Sequence, residues 1–456
     1  MKCILIDSPR RAVNIIEDEA IRRAAEEHSA YPPVGLAYIA GVLQQNGIDV
    51  KIIDAKSLNM SHDEVAQKVN EEEPELVGVT AFTSNLKGAL ETCREIKEHC
   101  PYTKIVVGGA HIHPLHREVI EKDYIDFCVR GEGEITMLEL AKAISRGADL
   151  KQVKGITLKD GDDIIITPDR PFISDLDTLP FPARDLLPNH IYRAAIGQSW
   201  GKFAAVSASR GCPFHCNFCQ VPQFWPVQRR RSVANVLDEL EDIVRVYKIK
   251  NVRFTDETLP LNKKWTTELC RGMVERGLNE KIAWSCDSRV DTINEDILEE
   301  MAKANCQVIF YGIEFGNQRI LDFAGKGTTV AQIYEAIEMT RKTGITPTGN
   351  FMIGYPTETR ETIEDTIALA VGLDLDFASI SIVTPFPGTE LYDYCRENDL
   401  LRTNNWEEYS YFHPGEGIIK LNGLTSGELV SLYQKAYFEL NYRHVSDDLK
   451  KELAQI

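Results

Sequence analysis

Apolar runs of strand length alternate with helix-spaced segments along most of this chain, and that alternation leaves few folds open. KCILID (2–7), VKIIDA (50–55), LVGVTAF (76–82), KIVVGG (104–109) and DFCVRGEGE (126–134) read as strands. Between them VGLAYIAGVLQQNG (34–47), HDEVAQKVNEEE (62–73) and LKGALETCREIKEH (86–99) have helical spacing, and a further helix is expected over 135–146. Near-continuous apolar strands separated by helices predict a parallel α/β sheet, doubly wound and Rossmann-like, over residues 1–150. Such sheets bind ligands beyond the carboxyl ends of their strands. The turns at those ends are SPR (8–10), FTSN (82–85), GGAH (108–111) and GEGE (131–134).

Residues 151–200 read as a connector. GITLKDGDDIIITP (155–168) predicts a hairpin around DGDD, and the proline-rich stretch 171–188 predicts extended chain across the surface. A second strand–helix series follows. Its strands are FAAVSASRG (203–211), NVRFTDE (251–257), IAWSCDSR (282–289), QVIFYGIE (307–314), TPTGNFMIG (346–354) and FASISIVTP (377–385). Its helices are expected at 232–247, 263–276, 294–304, 330–343 and 359–373. Six such units fall short of the eight of a closed barrel, so a partial (β/α)6 barrel is expected over 201–395. Residues 396–456 read as a helical C-terminal tail.

With 456 residues the chain is too long for one compact core, and 43% hydrophobic with 26% charged residues is ordinary for a globular protein. The formal net charge of −18 argues against broad nucleic-acid or anionic-membrane binding, which needs a basic footprint. RRR at 229–231 is a local basic run, readable as a site for a carboxylate or phosphate or as a solvated strip. MKCILIDSP lacks the charged and long apolar regions of a signal peptide, and no apolar stretch is long enough to span a bilayer. Eleven cysteines are too sparse for a disulfide scaffold, which points to a reducing cytoplasm and metal chemistry.

RGCPFHCNFCQ (210–220) places Cys212, Cys216 and Cys219 within eight residues. No second knuckle supplies a fourth ligand; Cys270, Cys286, Cys306 and Cys395 stand alone, and His215 adjoins Cys216 too closely to complete a tetrahedron. The residues themselves leave open a zinc site, an electron-transfer cluster completed from afar, and a cluster with one open position.

C-x3-C-x2-C after the first strand of a partial barrel resembles the radical S-adenosylmethionine superfamily. The resemblance implies that Cys212, Cys216 and Cys219 hold three irons of a [4Fe–4S] cluster, the fourth being left for S-adenosylmethionine. It further implies Glu257, with Asp256 next, at the end of the second barrel strand facing the cosubstrate amine. Ser288 or Arg289 on the third, Glu314 on the fourth and Gly354 on the fifth would also contact the cosubstrate, with Phe218 near its adenine. The alternative for each of the two glutamates is a salt bridge at the barrel rim.

The N-terminal series, with VGVTAFTSN, VVGGAHIHP and CVRGEGE, is similar to the cobalamin-binding domain that precedes the barrel in one class of that superfamily. The similarity extends over nearly residues 1–395. It implies cobalamin contacts from Ser84, Asn85, Gly108, Gly109, His111, Gly131, Glu132 and Gly133. Glycines let backbone approach a bulky ligand, and helix starts after Ser84 and Gly133 offer N–H groups. The chain departs from cobalamin domains that carry a cobalt-ligating histidine after the first strand, since DSPRRAVN stands there. His111 or His113 as a lower ligand, water, or no ligand all remain open, as does a sheet without cobalamin. A dinucleotide is disfavoured because GxGxxG is absent after the first strand.

The combined resemblance implies an enzyme that cleaves S-adenosylmethionine to a 5′-deoxyadenosyl radical and methylates an unactivated carbon by way of methylcobalamin. The expected partners are a small-molecule substrate, lipid or tetrapyrrole among them, and a one-electron donor such as flavodoxin or ferredoxin. A cyclase, ring-rearranging or oxidising enzyme with the same cofactors is the alternative, and a non-enzymatic redox sensor a more distant one. Trp200, Phe224, Trp225, Trp406, Tyr409, Tyr411 and Phe412 could line an apolar channel or seal the barrel bottom.

Overall fold

The structure is a computed structural model that describes residues 1–9, 30–197, 199–409 and 417–441. Arg10, Tyr411 and Phe412 lie outside the described residues. The chain divides into two compact units: Met1–Ala195, Ser199–Gly211 and Phe224–Arg253 in the first, and Ile196–Gln198, Cys212–Gln223 and Phe254–Ile456 in the second.

The first unit opens with β1 (Lys2–Asp7), α1 (Val34–Gln45), β2 (Asp49–Asp54), α2 (His62–Glu72), β3 (Leu76–Thr80), α3 (Leu86–His99), β4 (Lys104–Gly108), α4 (Ile112–Ile120), β5 (Phe127–Val129) and α5 (Gly133–Arg146). The hairpin β6 (Ile156–Asp160) and β7 (Asp163–Ile166) follows. The sheet order is β2-β1-β3-β4-β5-β6-β7. β1 pairs in parallel with β2 on one side, Leu5 opposite Ile52, and with β3 on the other, Leu5 opposite Gly78. Strand order therefore reverses at β1, and the crevice beyond the carboxyl ends of β1 and β3 is the natural ligand position of such a sheet.

The sequence reading differs from this unit in two places. The hairpin placed in a connector is the edge of the first sheet: β6 runs antiparallel to β5, with Cys128 opposite Thr157. Buried Ile156 and Leu158 cover what would otherwise be an exposed strand edge. The proline-rich stretch is not merely surface chain either. Leu176, Leu179 and Ala183 enter the core formed by Leu36, Val42 and Leu138. Gly41 in α1 admits this crossing, because a Cβ there would lie 2.8 Å from the Phe181 carbonyl oxygen.

The later elements are β8 (Arg193–Ile196), β9 (Ser199–Val206), β10 (Ser209–Arg210), the single turn α6 (Val221–Phe224), β11 (Arg229–Arg230), α7 (Val233–Arg245) and β12 (Asn251–Phe254). Then come α8 (Lys263–Glu275), β13 (Ala283–Ser288), α9 (Glu295–Lys303), β14 (Cys306–Glu314), α10 (Gln318–Phe323), α11 (Val330–Lys342), β15 (Thr346–Ile353), α12 (Arg360–Gly372), β16 (Ala378–Ile382), α13 (Glu390–Glu397) and α14 (Ser426–Asn441). The second large sheet has the order β16-β15-β14-β13-β12-β9-β8 and curls into a half-barrel; the division between the units falls within β12.

Each main helix after a barrel strand is capped by a side chain suited to the task. Asn262 caps α8, Asn294 caps α9, Thr329 caps α11 and Thr359 caps α12. β13 to β16 pair in parallel, with Tyr311 opposite Gly349 and Phe351 opposite Ile380. Buried Tyr409, Phe386 and Ile418 form a separate cluster with Trp406 and Tyr392, so Trp406 and Tyr409 pack inward rather than line a channel. Trp200 is 54% exposed. Among the described residues no helix is long and apolar enough to cross a membrane.

Candidate functional site

The three cysteines occupy one loop of the second unit, each half-buried and unpaired as a disulfide. Burial pushes the Cys212 thiol up and the Cys219 thiol to about 12, while backbone N–H groups of Phe214 and Val221 bond to them and pull the other way. The loop is pinned at several points. Asn217 N–H donates to the Ala324 carbonyl at 3.1 Å, and its amide donates to the Phe323 carbonyl at 2.8 Å. The Tyr355 hydroxyl donates to Asn217 Oδ1, and Gln220 donates to the Pro387 carbonyl at 2.9 Å. Gly325 is required opposite the loop: its φ is +66°, and a Cβ would lie 2.8 Å from the His215 carbonyl oxygen.

The cosubstrate candidates gather around this loop. Glu257 is half-buried and close enough for its charge to raise Cys212, whereas Asp256 is fully buried. Glu314 acts on Cys219 in the same way. It stands at a β-bulge with φ 71°, and Lys326 Nζ pairs with it at 3.1 Å. Phe218 meets the edge of Phe315 at 6.4 Å. The Ser288 hydroxyl is already engaged, 3.1 Å from the Arg289 carbonyl and 3.2 Å from Thr292 Oγ1. Arg289 lies with its guanidinium 3.6 Å from the centre of the Phe214 ring and Nη1 3.7 Å from Cys216 Sγ. Gly354 has φ +89° and donates its N–H to Glu358 Oε2 at 2.6 Å.

The loop suits an iron–sulfur cluster on the chemistry of its donors. Three thiols are presented from one short loop and influence one another electrostatically. Two accept backbone N–H groups and the third faces a guanidinium; such bonds to sulfur are among the features that set cluster potential. Iron coordination deprotonates thiols that burial alone would keep protonated.

The first unit supplies a different surface at its strand ends. The Phe82 N–H donates to Asn85 Oδ1 at 2.7 Å, and the Asn85 amide donates to Ser8 Oγ at 3.3 Å, joining the turns after β3 and β1. Ser84 is exposed beside Phe82, which is itself 50% exposed. Gly109 has φ +114°, and a Cβ there would lie 2.6 Å from the Ala81 carbonyl oxygen. Gly131 has φ +73° with open space where a side chain would project, and Gly108 is half-buried. This glycine-lined edge fits a bulky ligand such as a corrin, which needs backbone within reach and no projecting side chains.

Three of the expected cobalamin residues have structural roles here. Glu132 is a buried ionic hub, pairing with Arg210 at 3.0 Å and Arg229 at 2.9 Å and accepting the Ile173 N–H at 2.7 Å. Gly133 permits close helix packing, because a Cβ would lie 2.8 Å from Ile39 Cδ1. His111 is buried with Nδ1 3.1 Å from Thr83 Oγ1, and burial pulls it down to about 4. His113 accepts the Gly131 N–H at 3.2 Å and places its ring 4.7 Å from that of Phe224.

The run at 229–231 is not a free basic strip. Arg229 pairs with Glu132, Arg230 donates to Gln228, and buried Arg231 pairs with Glu239, which also takes Arg184 at 2.6 Å. Burial of Glu132 and Glu239 demands Arg229 and Arg231 as partners. The sequence reading missed Lys326, Asp291 and Glu358. GKG (325–327), with both glycines in the left-handed region, was the one local signal for Lys326.

Comparison with known proteins agrees with both surfaces. A family model described as the radical SAM superfamily matches residues 206–370, and one described as a B12 binding domain matches residues 23–141. The chain is 37% identical over 445 residues to an uncharacterised methyltransferase of Pyrococcus horikoshii, covering 97% of this chain and 93% of the relative. It is 35% identical over 415 residues to the anaerobic magnesium-protoporphyrin IX monomethyl ester cyclase of Cereibacter sphaeroides, covering 89% of this chain and 66% of that protein. Among solved structures, the radical S-adenosylmethionine methyltransferase TsrM from Kitasatospora setae has a TM-score of 0.72 at 19% identity, covering 89% of this chain and 79% of that one. The cobalamin-dependent S-adenosylmethionine radical enzyme OxsB has a TM-score of 0.77 at 17% identity, covering 99% and 69%. These two likenesses show the shared fold. The three-thiolate loop on a half-barrel, the glycine-lined edge of the preceding sheet and the near full-length relatedness together make the chain a member of the cobalamin-binding-domain class of the radical S-adenosylmethionine superfamily.

Proposed function

We propose that this enzyme methylates an unactivated carbon of a small molecule, a lipid or tetrapyrrole among the candidates. The observation that carries the reading is the 37% identity with a methyltransferase over nearly the whole of both chains, together with the thiolate loop. When bound, the cluster and S-adenosylmethionine supply a carbon-centred radical, and cobalamin supplies a methyl carrier. The residues of this chain hold, orient and shield those groups. Cys212, Cys216 and Cys219 hold the cluster on a loop fixed by Asn217 and Gln220. Glu257 and Glu314 accept from the cosubstrate amine and ribose, Lys326 orienting Glu314. Ser288 shapes the strand end through its hydroxyl, which donates to the Arg289 carbonyl, and Gly354 with Phe218 borders the adenine. Ser84, Asn85, Gly108, Gly109 and Gly131 receive the corrin, while His111, Glu132 and Gly133 support that surface from behind.

Functionally, residues 1–150 carry cobalamin and 201–395 carry the cluster and cosubstrate, with 151–200 and 396–456 as supports. The reaction takes place in the cytoplasm and draws single electrons from a flavodoxin or ferredoxin. Anaerobically reconstituted protein given methyl-labelled S-adenosylmethionine and candidate substrates is expected to yield labelled, methylated product only when cobalamin is present. Deoxyadenosine formed without any methylated product would overturn methyl transfer. The second reading, radical cyclisation, has its own support in the 35% identity with the magnesium-protoporphyrin ester cyclase. It predicts a product that gains a ring and no label.

A further inference from the structure

We propose that Arg289, oriented by Asp291, tunes the redox potential of the cluster rather than binding S-adenosylmethionine. The proposal rests on the reading that the cysteine loop holds a cluster. The Arg289 side chain is only 6% exposed. Its Nε donates to Asp291 Oδ1 at 3.0 Å, and Nη2 donates to Asp291 Oδ2 at 2.8 Å and to the Lys326 carbonyl at 2.7 Å. Nη1 is directed at Cys216 Sγ at 3.7 Å, and the Phe214 ring covers the guanidinium at 3.6 Å. Four of the five N–H donors of an arginine are thereby engaged. The ion pair is polarised: the carboxylate holds the Nε–Nη2 edge, and the opposite end of the cation meets the sulfur.

Reduction adds one electron to the cluster. A cation against one of its thiolates stabilises the added charge, so Arg289 raises the potential, and Asp291 partly offsets it. Removing the two charges therefore shifts the potential in opposite directions. A purely structural ion pair predicts no such opposition, since losing either partner damages the same contact.

The test uses the full chain, reconstituted anaerobically and titrated with dithionite through redox mediators, the reduced cluster being read by electron paramagnetic resonance. Arg289→Gln is expected to lower the reduction equilibrium constant about tenfold, which is ~59 mV for one electron, and Asp291→Asn to raise it by a smaller factor. Arg289→Lys keeps the charge and should fall between wild type and Arg289→Gln. Affinity for S-adenosylmethionine, titrated by the same spectrum, should change little in Arg289→Lys. Unchanged potentials, or shifts of the same sign in the Gln and Asn variants, overturn the proposal. A wild-type potential accompanied by lost cosubstrate affinity also overturns it and returns Arg289 to the cosubstrate. If Arg289→Gln assembles no cluster, Asp291→Asn decides alone, a raised potential supporting and an unchanged one refuting. Wild-type protein that assembles no cluster defeats the loop reading itself, a result distinct from a cluster with indifferent variants.

Discussion

Glu358 is fully buried just beyond β15, its Oε2 accepting the N–H groups of Gly354 and Tyr355 while Oε1 has no hydrogen-bond partner among the described residues. Burial raises this carboxyl from 4.5 to about 7, against the pull of the two backbone donors. A folded-state value above the unfolded one means the native protein binds the extra proton. The associated stability is present below pH 4.5 and is lost as pH rises through about 7. The stability of wild type relative to Glu358→Gln should therefore fall across that window by on the order of 3 kcal/mol and level off above it. Denaturant unfolding at a series of pH values measures it, and a flat difference would refute the assignment. At the cluster loop, Cys216→Ser should lose most bound iron and the charge-transfer absorption of reconstituted protein, with the far-ultraviolet circular dichroism unchanged. Retention of a full cluster would mean that Cys216 is not a ligand. The three cysteines were legible because their spacing is local. Lys326 was not, since it acts by meeting Glu314 on a strand twelve positions back, and Asp291 was not, since only the fold turns its carboxylate onto Arg289 two positions away.

At the scale of elements, the neck of the cysteine loop is a two-residue ladder, β10 against β11, with Arg210 opposite Arg229. Both arginines converge on Glu132, and Arg210 also reaches Glu134 at 2.5 Å. Glu132→Ala leaves two buried guanidiniums short of a partner and should cost about 3–5 kcal/mol of unfolding free energy, read from the denaturant midpoint. A loss under ~1 kcal/mol would show that solvent or Glu134 replaces it. Gly109→Ala should also destabilise, because its φ of +114° and the nearby Ala81 carbonyl leave no room for a Cβ. The strands and helices were readable from periodicity, since each buries an apolar face of regular spacing. The hairpin at 155–168 was readable as a hairpin but not as a sheet edge. Pairing with β5 depends on three residues, Phe127 to Val129, too few to carry a pattern. GEGE was readable as a functional loop, yet Glu132 faces arginines more than 75 positions away, which no local rule anticipates.

For the molecule as a whole, the order of the two strand–helix series mattered more than any single motif. A sheet reversing at β1 and a half-barrel with three thiolates on one loop are separate ligand-binding designs, and both are present in one chain. That much followed from the sequence, because each series repeats its pattern over more than a hundred residues. The substrate did not, since Trp406 and Tyr409, the residues suggestive of an apolar channel, are packed into a core cluster of their own. Cys212, Cys216 and Cys219 would leave one iron of the cluster for S-adenosylmethionine, and methyl transfer as proposed depends on that open position. Electron paramagnetic resonance of the reduced, reconstituted protein before and after adding S-adenosylmethionine tests this directly. The predicted result is a [4Fe–4S] signal whose g-values shift on addition of the cosubstrate. An unchanged spectrum, indicating a cluster already ligated at every iron, would contradict it.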